Sequence, residues 1–199
     1  FVADEVICGY GRLGAWFGST ELGIEPDMIA SAKGLTSGYF PLSAAFLTDE
    51  IWEVLKLGSE QIGAFMHGYT YSGHPVGAAV ALANIEIMER ENLIDKAKVS
   101  GKYLHEQLQS LMNLPNVGEV RGQGLIAGIQ LVTDKASRQA PDQADALPAK
   151  ITALMREKGV IVRPLASIGT LAVSPPLNIT NDEIDTLVSA LSESISSFA

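Results

Sequence analysis

Phe1-Val2-Ala3-Asp4-Glu5-Val6-Ile7-Cys8-Gly9-Tyr10-Gly11-Arg12-Leu13-Gly14 and, after a turn at Glu25-Pro26, Asp27-Met28-Ile29-Ala30-Ser31-Ala32-Lys33-Gly34 decide the fold. Each stretch holds a short apolar run that meets an isolated charge. In the first the charge is the acidic pair Asp4-Glu5; in the second it is the lone amine of Lys33. Residues 1–7 read as one strand and residues 27–32 as another, with a glycine-rich turn at 9–14 between them. The connection is long enough for the two strands to be parallel neighbours. Ligands of open α/β sheets bind at the carboxyl ends of strands. A carboxylate and an amine at two such ends therefore point to a cofactor site rather than a solvated surface.

Outward from these stretches, residues 42–47 read as a third strand and 49–57 as a short helix opened by Thr48 or Asp49. Residues 58–73 read as a long loop, a length that in compact domains is often functional. Pro75 starts a long helix expected to reach residue 111, with a break near Glu91-Asn92. Beyond Leu114-Pro115-Asn116 the pattern changes. Strands are expected at 117–121 and 125–131, a surface loop at 133–147, a helix at 148–158, and strands at 160–163 and 170–174. Thr180-Asn181-Asp182-Glu183 is a capping box that opens a last helix. This gives an α/β fold in two parts: residues 1–112 as part of a larger domain with a mixed sheet, and residues 113–199 as a small α+β domain.

Composition excludes several functions. Of 199 residues, 47% are hydrophobic and 19% charged, enough apolar content for a sizeable core. The formal net charge of -9 argues against nucleic acid and anionic membranes as partners. The apolar stretch 76–87 is too short to cross a bilayer and carries Asn84. A single cysteine, Cys8, excludes an intrachain disulfide framework and fits a reducing, cytoplasmic setting. The chain opens on Phe1 inside an apolar strand, which reads as the C-terminal part of a longer protein.

Gly9-Tyr10-Gly11-Arg12-Leu13-Gly14 matches the dinucleotide pattern G-x-G-x-x-G. The pattern requires a helix to open within it, whereas Ala15-Trp16-Phe17-Gly18 is poorly helical, and an acidic pair just before it would repel a pyrophosphate. A tight irregular turn is the expected reading, with a nicotinamide-dependent oxidoreductase domain as the rival.

Pyridoxal phosphate asks for a lysine that forms an imine and an acid that pairs with the pyridine nitrogen. Lys33 and Asp4 suit both roles, and the small neighbours Ser31, Ala32 and Gly34 leave room for a flat ring. A displaced Lys33 amine could also carry a proton between substrate and cofactor carbons. The residues alone leave open that Lys33 is an ordinary strand-end lysine and Asp4 an ordinary turn carboxylate.

Residues 1–14 and 26–34 closely resemble the signature of the class III (omega) aminotransferases, which are pyridoxal-phosphate-dependent and of fold type I. The resemblance covers the whole chain and rests on two separate blocks at the family's spacing. It implies Asp4 as partner of the pyridine nitrogen, Lys33 as the imine lysine and Val6 as packing on the ring. It implies that Thr70, in His67-Gly68-Tyr69-Thr70-Tyr71-Ser72-Gly73-His74-Pro75, binds the cofactor phosphate of the neighbouring subunit of a homodimer, with Tyr69 lending its backbone N–H. A hydroxyl and backbone N–H groups beside a helix N-terminus suit an anion.

Arg163, in Gly159-Val160-Ile161-Val162-Arg163-Pro164-Leu165, resembles a mobile arginine of amine–pyruvate aminotransferases that binds the substrate carboxylate; a salt bridge is the plainer alternative. Arg121 reads as structural, and so do His67 and His74, with no metal site expected. The implied activity is transfer of an amino group from an amine or amino acid to a keto acid such as pyruvate. An aminomutase or decarboxylase of the same fold is the alternative, and a non-catalytic dimerising remnant a further one. The family's first half supplies a phosphate loop and a ring-stacking aromatic that this stretch lacks, so the chain alone is expected to be inactive.

Overall fold

The computed structural model describes residues 1–198, and the chain divides into two compact units, Phe1–Ile94 and Asp95–Ala199. In the first unit, β1 (Val2–Asp4) lies parallel to β2 (Met28–Ser31), with Val2 opposite Met28 and Asp4 opposite Ala30. β3 (Ala44–Leu47) pairs antiparallel to β2 on its other side. This is the mixed sheet expected from the sequence, in the order β1-β2-β3.

The first strand is shorter than the apolar run suggests. The expected strand 1–7 stops at Asp4, although the Glu5 N–H still donates to Ala30 O at 2.8 Å. The reason is Glu5. It is buried, and its carboxylate accepts from the Gly18 N–H at 2.8 Å and the Ser19 N–H at 2.6 Å. These amides open α1 (Gly18–Glu21), whose first N–H groups have no intrahelical partner. A buried carboxylate so placed acts as a cap and folds the chain back at once.

α2 (Asp49–Ile62) continues through Gly58, where the sequence reading begins a loop. Strong helix formers on both sides, Leu55-Lys56-Leu57 and Glu60-Gln61, carry it past the glycine. The loop is therefore confined to residues 63–74, and α3 (Pro75–Arg90) follows it. The expected break comes at Glu91-Asn92, with Asn92 in the left-handed region at φ 52°.

α4 (Leu93–Leu108) lies almost wholly within the second unit. The sequence division at residue 112 groups this helix with the first unit, but its buried face, Ala97, Gly101, Leu104 and Leu108, belongs to the core of the second. That unit is a four-stranded antiparallel sheet in the order β4 (Val117–Gln123), β5 (Ile126–Leu131), β7 (Thr170–Val173), β6 (Arg163–Leu165). α5 (Leu147–Glu157) and α6 (Asn181–Ser196) complete it.

β5 alternates as a half-buried strand should, with Ala127, Ile129 and Leu131 inward. Residues 160–162, expected in a strand, lie before β6, which begins only at Arg163. Their chain follows the end of α5, where the Val160 N–H still donates to Met155 O, so no sheet partner is available to it. The capping box is formed: the Glu183 N–H donates to Thr180 Oγ1 at 3.3 Å and the Thr180 N–H to Glu183 Oε2 at 2.8 Å. Among the described residues, no helix is long and apolar enough to cross a membrane.

Candidate active site

Because β1 and β2 are parallel, their carboxyl ends share one edge of the sheet. Asp4 ends β1 there, and Lys33 follows the end of β2 by two residues. Both side chains are exposed. Strand alternation separates the acidic pair: Glu5 turns inward to cap α1, and Asp4 is left on the surface. The Val6 N–H donates to Asp4 Oδ1 at 3.1 Å, which fixes the carboxylate without engaging Oδ2. Val6 itself is half-buried beside it.

Lys33 opens a single 3-10 turn, Lys33–Leu35, and sits at φ 40°. A non-glycine residue held there costs of order 1–2 kcal/mol and persists only where its surroundings impose it. Two neighbours do so. Ahead of the turn, Tyr10 is buried and its hydroxyl meets Ser31 Oγ at 3.2 Å. A Cβ on Gly34 would stand 2.9 Å from Tyr10 Cβ, so this close approach requires glycine. Behind the turn, Asn84 of α3 donates from Nδ2 to Gly34 O at 2.8 Å and to Leu35 O at 3.2 Å.

Sequence reasoning does not single out Asn84 or Glu5 for these roles. The available signals were an amide within an apolar helical stretch and the second acid of a pair placed to face inward.

The glycine-rich turn spends four of its six amides on itself and its neighbours. The Gly9 N–H donates to Glu5 O, Tyr10 to Trp16 O, Gly11 to Ala15 O and Gly14 to Gly11 O. The helix that follows it is the four-residue α1, whose first amides Glu5 already holds. The geometry therefore lacks the helix N-terminus on which a dinucleotide site seats its pyrophosphate. Cys8 is half-buried, and desolvation, followed by the charges of Glu5 and Asp4, raises its thiol above the ordinary value. It is a poor nucleophile at neutral pH.

The loop before α3 carries Tyr69 and Thr70, both exposed. The Tyr69 N–H donates to Ser72 Oγ at 3.0 Å, so phosphate would have to replace that bond. At the helix start, Pro75 has no N–H and the Val76 N–H donates to His74 Nδ1 at 3.2 Å. The first two helical positions therefore leave no N–H free for an anion, while Thr70 presents an exposed hydroxyl in the loop. His74 is the N-cap and packs against Phe40, with ring centroids 5.6 Å apart, in keeping with the structural role expected for it.

In the second unit, Arg163 is exposed opposite Ala172 of β7, and makes no ion pair among the described residues. The plainer alternative of a salt bridge is not found there. Arg121 does pair, with Glu119 at 3.0 Å. Among the described residues no group of three or more His, Cys, Asp or Glu side chains is placed to hold a metal ion.

A family model described as Aminotransferase class-III matches residues 1–195. The chain is 46% identical over 193 residues to a putrescine–pyruvate aminotransferase of Pseudomonas aeruginosa, covering 94% of this chain and 40% of that protein. It is 43% identical over 188 residues to a diaminobutyrate–2-oxoglutarate transaminase of Halomonas elongata, with the same two coverages of 94% and 40%. Among solved structures it is similar to an (S)-enantioselective omega-transaminase from Thermomicrobium roseum, with a TM-score of 0.92 and 42% identity over 98% of this chain and 43% of that one. The chain thus spans about two-fifths of the length of the relatives it matches.

Proposed function

Because the chain belongs to the class III aminotransferases, a pyridoxal-phosphate-dependent family of fold type I, we propose that it contributes the lysine-bearing part of an enzyme that moves an amino group from an amine or amino acid to a keto acid such as pyruvate. The observation that carries this reading is the shared edge of β1 and β2, where an oriented carboxylate and a strained, exposed lysine stand together.

The residues present suit the cofactor. Asp4 offers an acceptor oxygen, Oδ2, that the Val6 N–H does not engage. A pyridine nitrogen carrying a proton would donate to it. Val6 would pack on one face of the ring, and Lys33 would hold the aldehyde carbon covalently. When bound, the cofactor supplies the electron sink that stabilises negative charge at the substrate carbon.

This chain's own residues do the rest. Asp4 would accept the hydrogen bond of the ring nitrogen and so favour the protonated ring. Lys33, with its Nζ free, would accept a proton from the substrate carbon and return it. Thr70, with the Tyr69 N–H, would bind the phosphate held in the neighbouring subunit of a homodimer. Arg163 would pair with the carboxylate of the amino or keto acid, and its lack of a salt-bridge partner among the described residues leaves it able to do so. The relatives differ in both donor and acceptor: the Pseudomonas aeruginosa enzyme is named for putrescine and pyruvate, the Halomonas elongata enzyme for diaminobutyrate and 2-oxoglutarate. An amine–pyruvate preference is our choice for this chain, resting on the Arg163 block and the histidine-bearing loop. A cytoplasmic setting accords with the single cysteine.

The test uses the protein at the full length its gene encodes, loaded with pyridoxal phosphate and reduced with borohydride. Peptide mass spectrometry should find the cofactor on Lys33, and the loaded enzyme should convert an amine to its ketone only when pyruvate is present. A Lys33→Ala protein that still fixes the cofactor at the same stoichiometry would end this reading.

A further inference from the structure

The turn that presents Lys33 is held from behind by the side chain of Asn84. Asn84 lies in the middle of α3, and both ends of its carboxamide engage this segment. Nδ2 donates to two successive carbonyls, Gly34 O at 2.8 Å and Leu35 O at 3.2 Å, and also approaches Met88 Sδ at 3.6 Å. Oδ1 accepts from Ser37 Oγ at 2.8 Å. Lys33 and Ser37, at φ 40° and 49°, are the two non-glycine residues of this stretch in the left-handed region. They bracket the carbonyls that Asn84 grips. The turn's own bonds, Leu35 N–H to Ala32 O at 3.0 Å and Thr36 N–H to Lys33 O at 3.2 Å, are too few to impose that conformation alone.

The geometry points to Asn84 as the positioning residue for Lys33, set in its donor orientation by Ser37; this inference rests on Lys33 being the cofactor lysine. The pattern is chemically selective. Two carbonyl oxygens and one hydroxyl demand a group with two donors and one acceptor, which among side chains of this length only asparagine supplies. Aspartate has the same shape and would set a carboxylate against the two carbonyls. The role also explains why a polar side chain occupies an otherwise apolar stretch of α3. Tyr10 supports the turn from its other face through contact with Gly34, so the amine is presented from a backbone clamped on both sides.

Asn84→Ala, Asn84→Asp and Ser37→Ala test this in the full-length protein with two readings. The first is the rate at which pyridoxal phosphate becomes borohydride-fixed on Lys33. The second, on cofactor-free protein, is amide hydrogen exchange at Leu35 and Thr36. With either Asn84 substitution, fixation should slow by about tenfold and exchange at both amides should rise by about tenfold, the loss expected for one well-made hydrogen bond. Exchange across Ile85–Met88 of α3 should not change. Ser37→Ala, at an exposed position, should move both readings in the same direction by about threefold.

An Asn84 variant with a lower unfolding midpoint but unchanged Lys33 fixation and unchanged Leu35 and Thr36 exchange would show a purely structural amide and overturn the inference. If the Asn84 variants do not fold, Ser37→Ala decides alone, and no change in either reading rejects it. A wild-type protein that takes no label at Lys33 would instead overturn the proposed function, while the exchange readings still decide the clamp.

Discussion

Gly101 and Gly58 both lie inside helices, yet the structure predicts opposite effects for the same substitution. In α2, a Cβ on Gly58 would meet nothing within 4 Å. Gly58→Ala should therefore show the intrinsic helix preference and stabilise the chain by about 1 kcal/mol. In α4, a Cβ on Gly101 would stand 2.6 Å from the carbonyl carbon of Gly124 and 2.7 Å from its Cα and O. Ordinary contact begins at 3.4 Å, so the helix and the β4–β5 turn must part by most of an ångström.

Both sides of that clash are backbone, and no rotamer can relieve it. Parting them would loosen the core around Ala97 and Leu104, which are fully buried on the same face. Overpacking of this kind costs about 1–3 kcal/mol, and rigid partners place it near the upper end. Subtracting the helix preference of about 1 kcal/mol leaves a net loss of about 2 kcal/mol for Gly101→Ala. Urea denaturation of the chain and both variants, followed by circular dichroism, measures this directly. If Gly101→Ala is as stable as the wild type or more stable, α4 does not pack on the β4–β5 turn, and its assignment to the second unit is wrong.

Two further outcomes follow from single contacts. Arg163→Ala in the full-length enzyme should raise KM for pyruvate by about tenfold to a hundredfold, the loss of a charge-assisted pair, with little change in KM for an amine that has no carboxylate; equal losses for both substrates would remove the role given to Arg163. Thr180→Ala should destabilise the second unit by about 1 kcal/mol at neutral pH through loss of the N-cap. Its backbone and side-chain bonds to Glu183 hold that carboxyl below its ordinary value of 4.5. A depressed carboxyl contributes stability above its unfolded value, and that contribution disappears as pH falls through the folded value. The gap between Thr180→Ala and wild type in thermal melts should accordingly narrow below about pH 4. A gap that stays constant down to about pH 2 would deny the coupling.

The elements legible in the sequence are those fixed by local chemistry. The capping box at Thr180, the break at Asn92 and the alternation of β5 all appear where the residue types put them. The placement of Asp4 and Lys33 at one edge of the sheet is legible because each closes an apolar run that becomes a strand. What stays hidden depends on partners distant in sequence. The assignment of α4 follows from a core it shares with α6, far along the chain, and the Ser100 to Ile179 hydrogen bond, spanning 79 positions, shows the same long reach within that unit. Glu5 is indistinguishable from Asp4 until α1 is seen to begin at Gly18. The end of α2 escapes the sequence because a glycine such as Gly58 signals a stop, although neither strain nor a close contact requires a glycine there.

Tyr10 and Gly34 explain what the pattern at residues 9–14 is for. In a dinucleotide site the glycines free amide N–H groups for phosphate; here the turn engages four of its six amides locally and uses its compactness to place a tyrosine. Tyr10 reaches Ser31 at the end of β2 and lies against Gly34 immediately after Lys33. Phe17, 5.5 Å away between ring centroids, packs on it from the far side and touches Phe46 of β3 in turn. The segment after Asp4 is thus tied to the segment around Lys33 by one aromatic side chain, and Glu5 fixes the return of the chain between them. The spacing of carboxylate and amine is set by this internal brace rather than by either strand alone. A substitution at Tyr10 should therefore disturb both halves of the candidate site together, whereas one at Asn84 should disturb the lysine half alone.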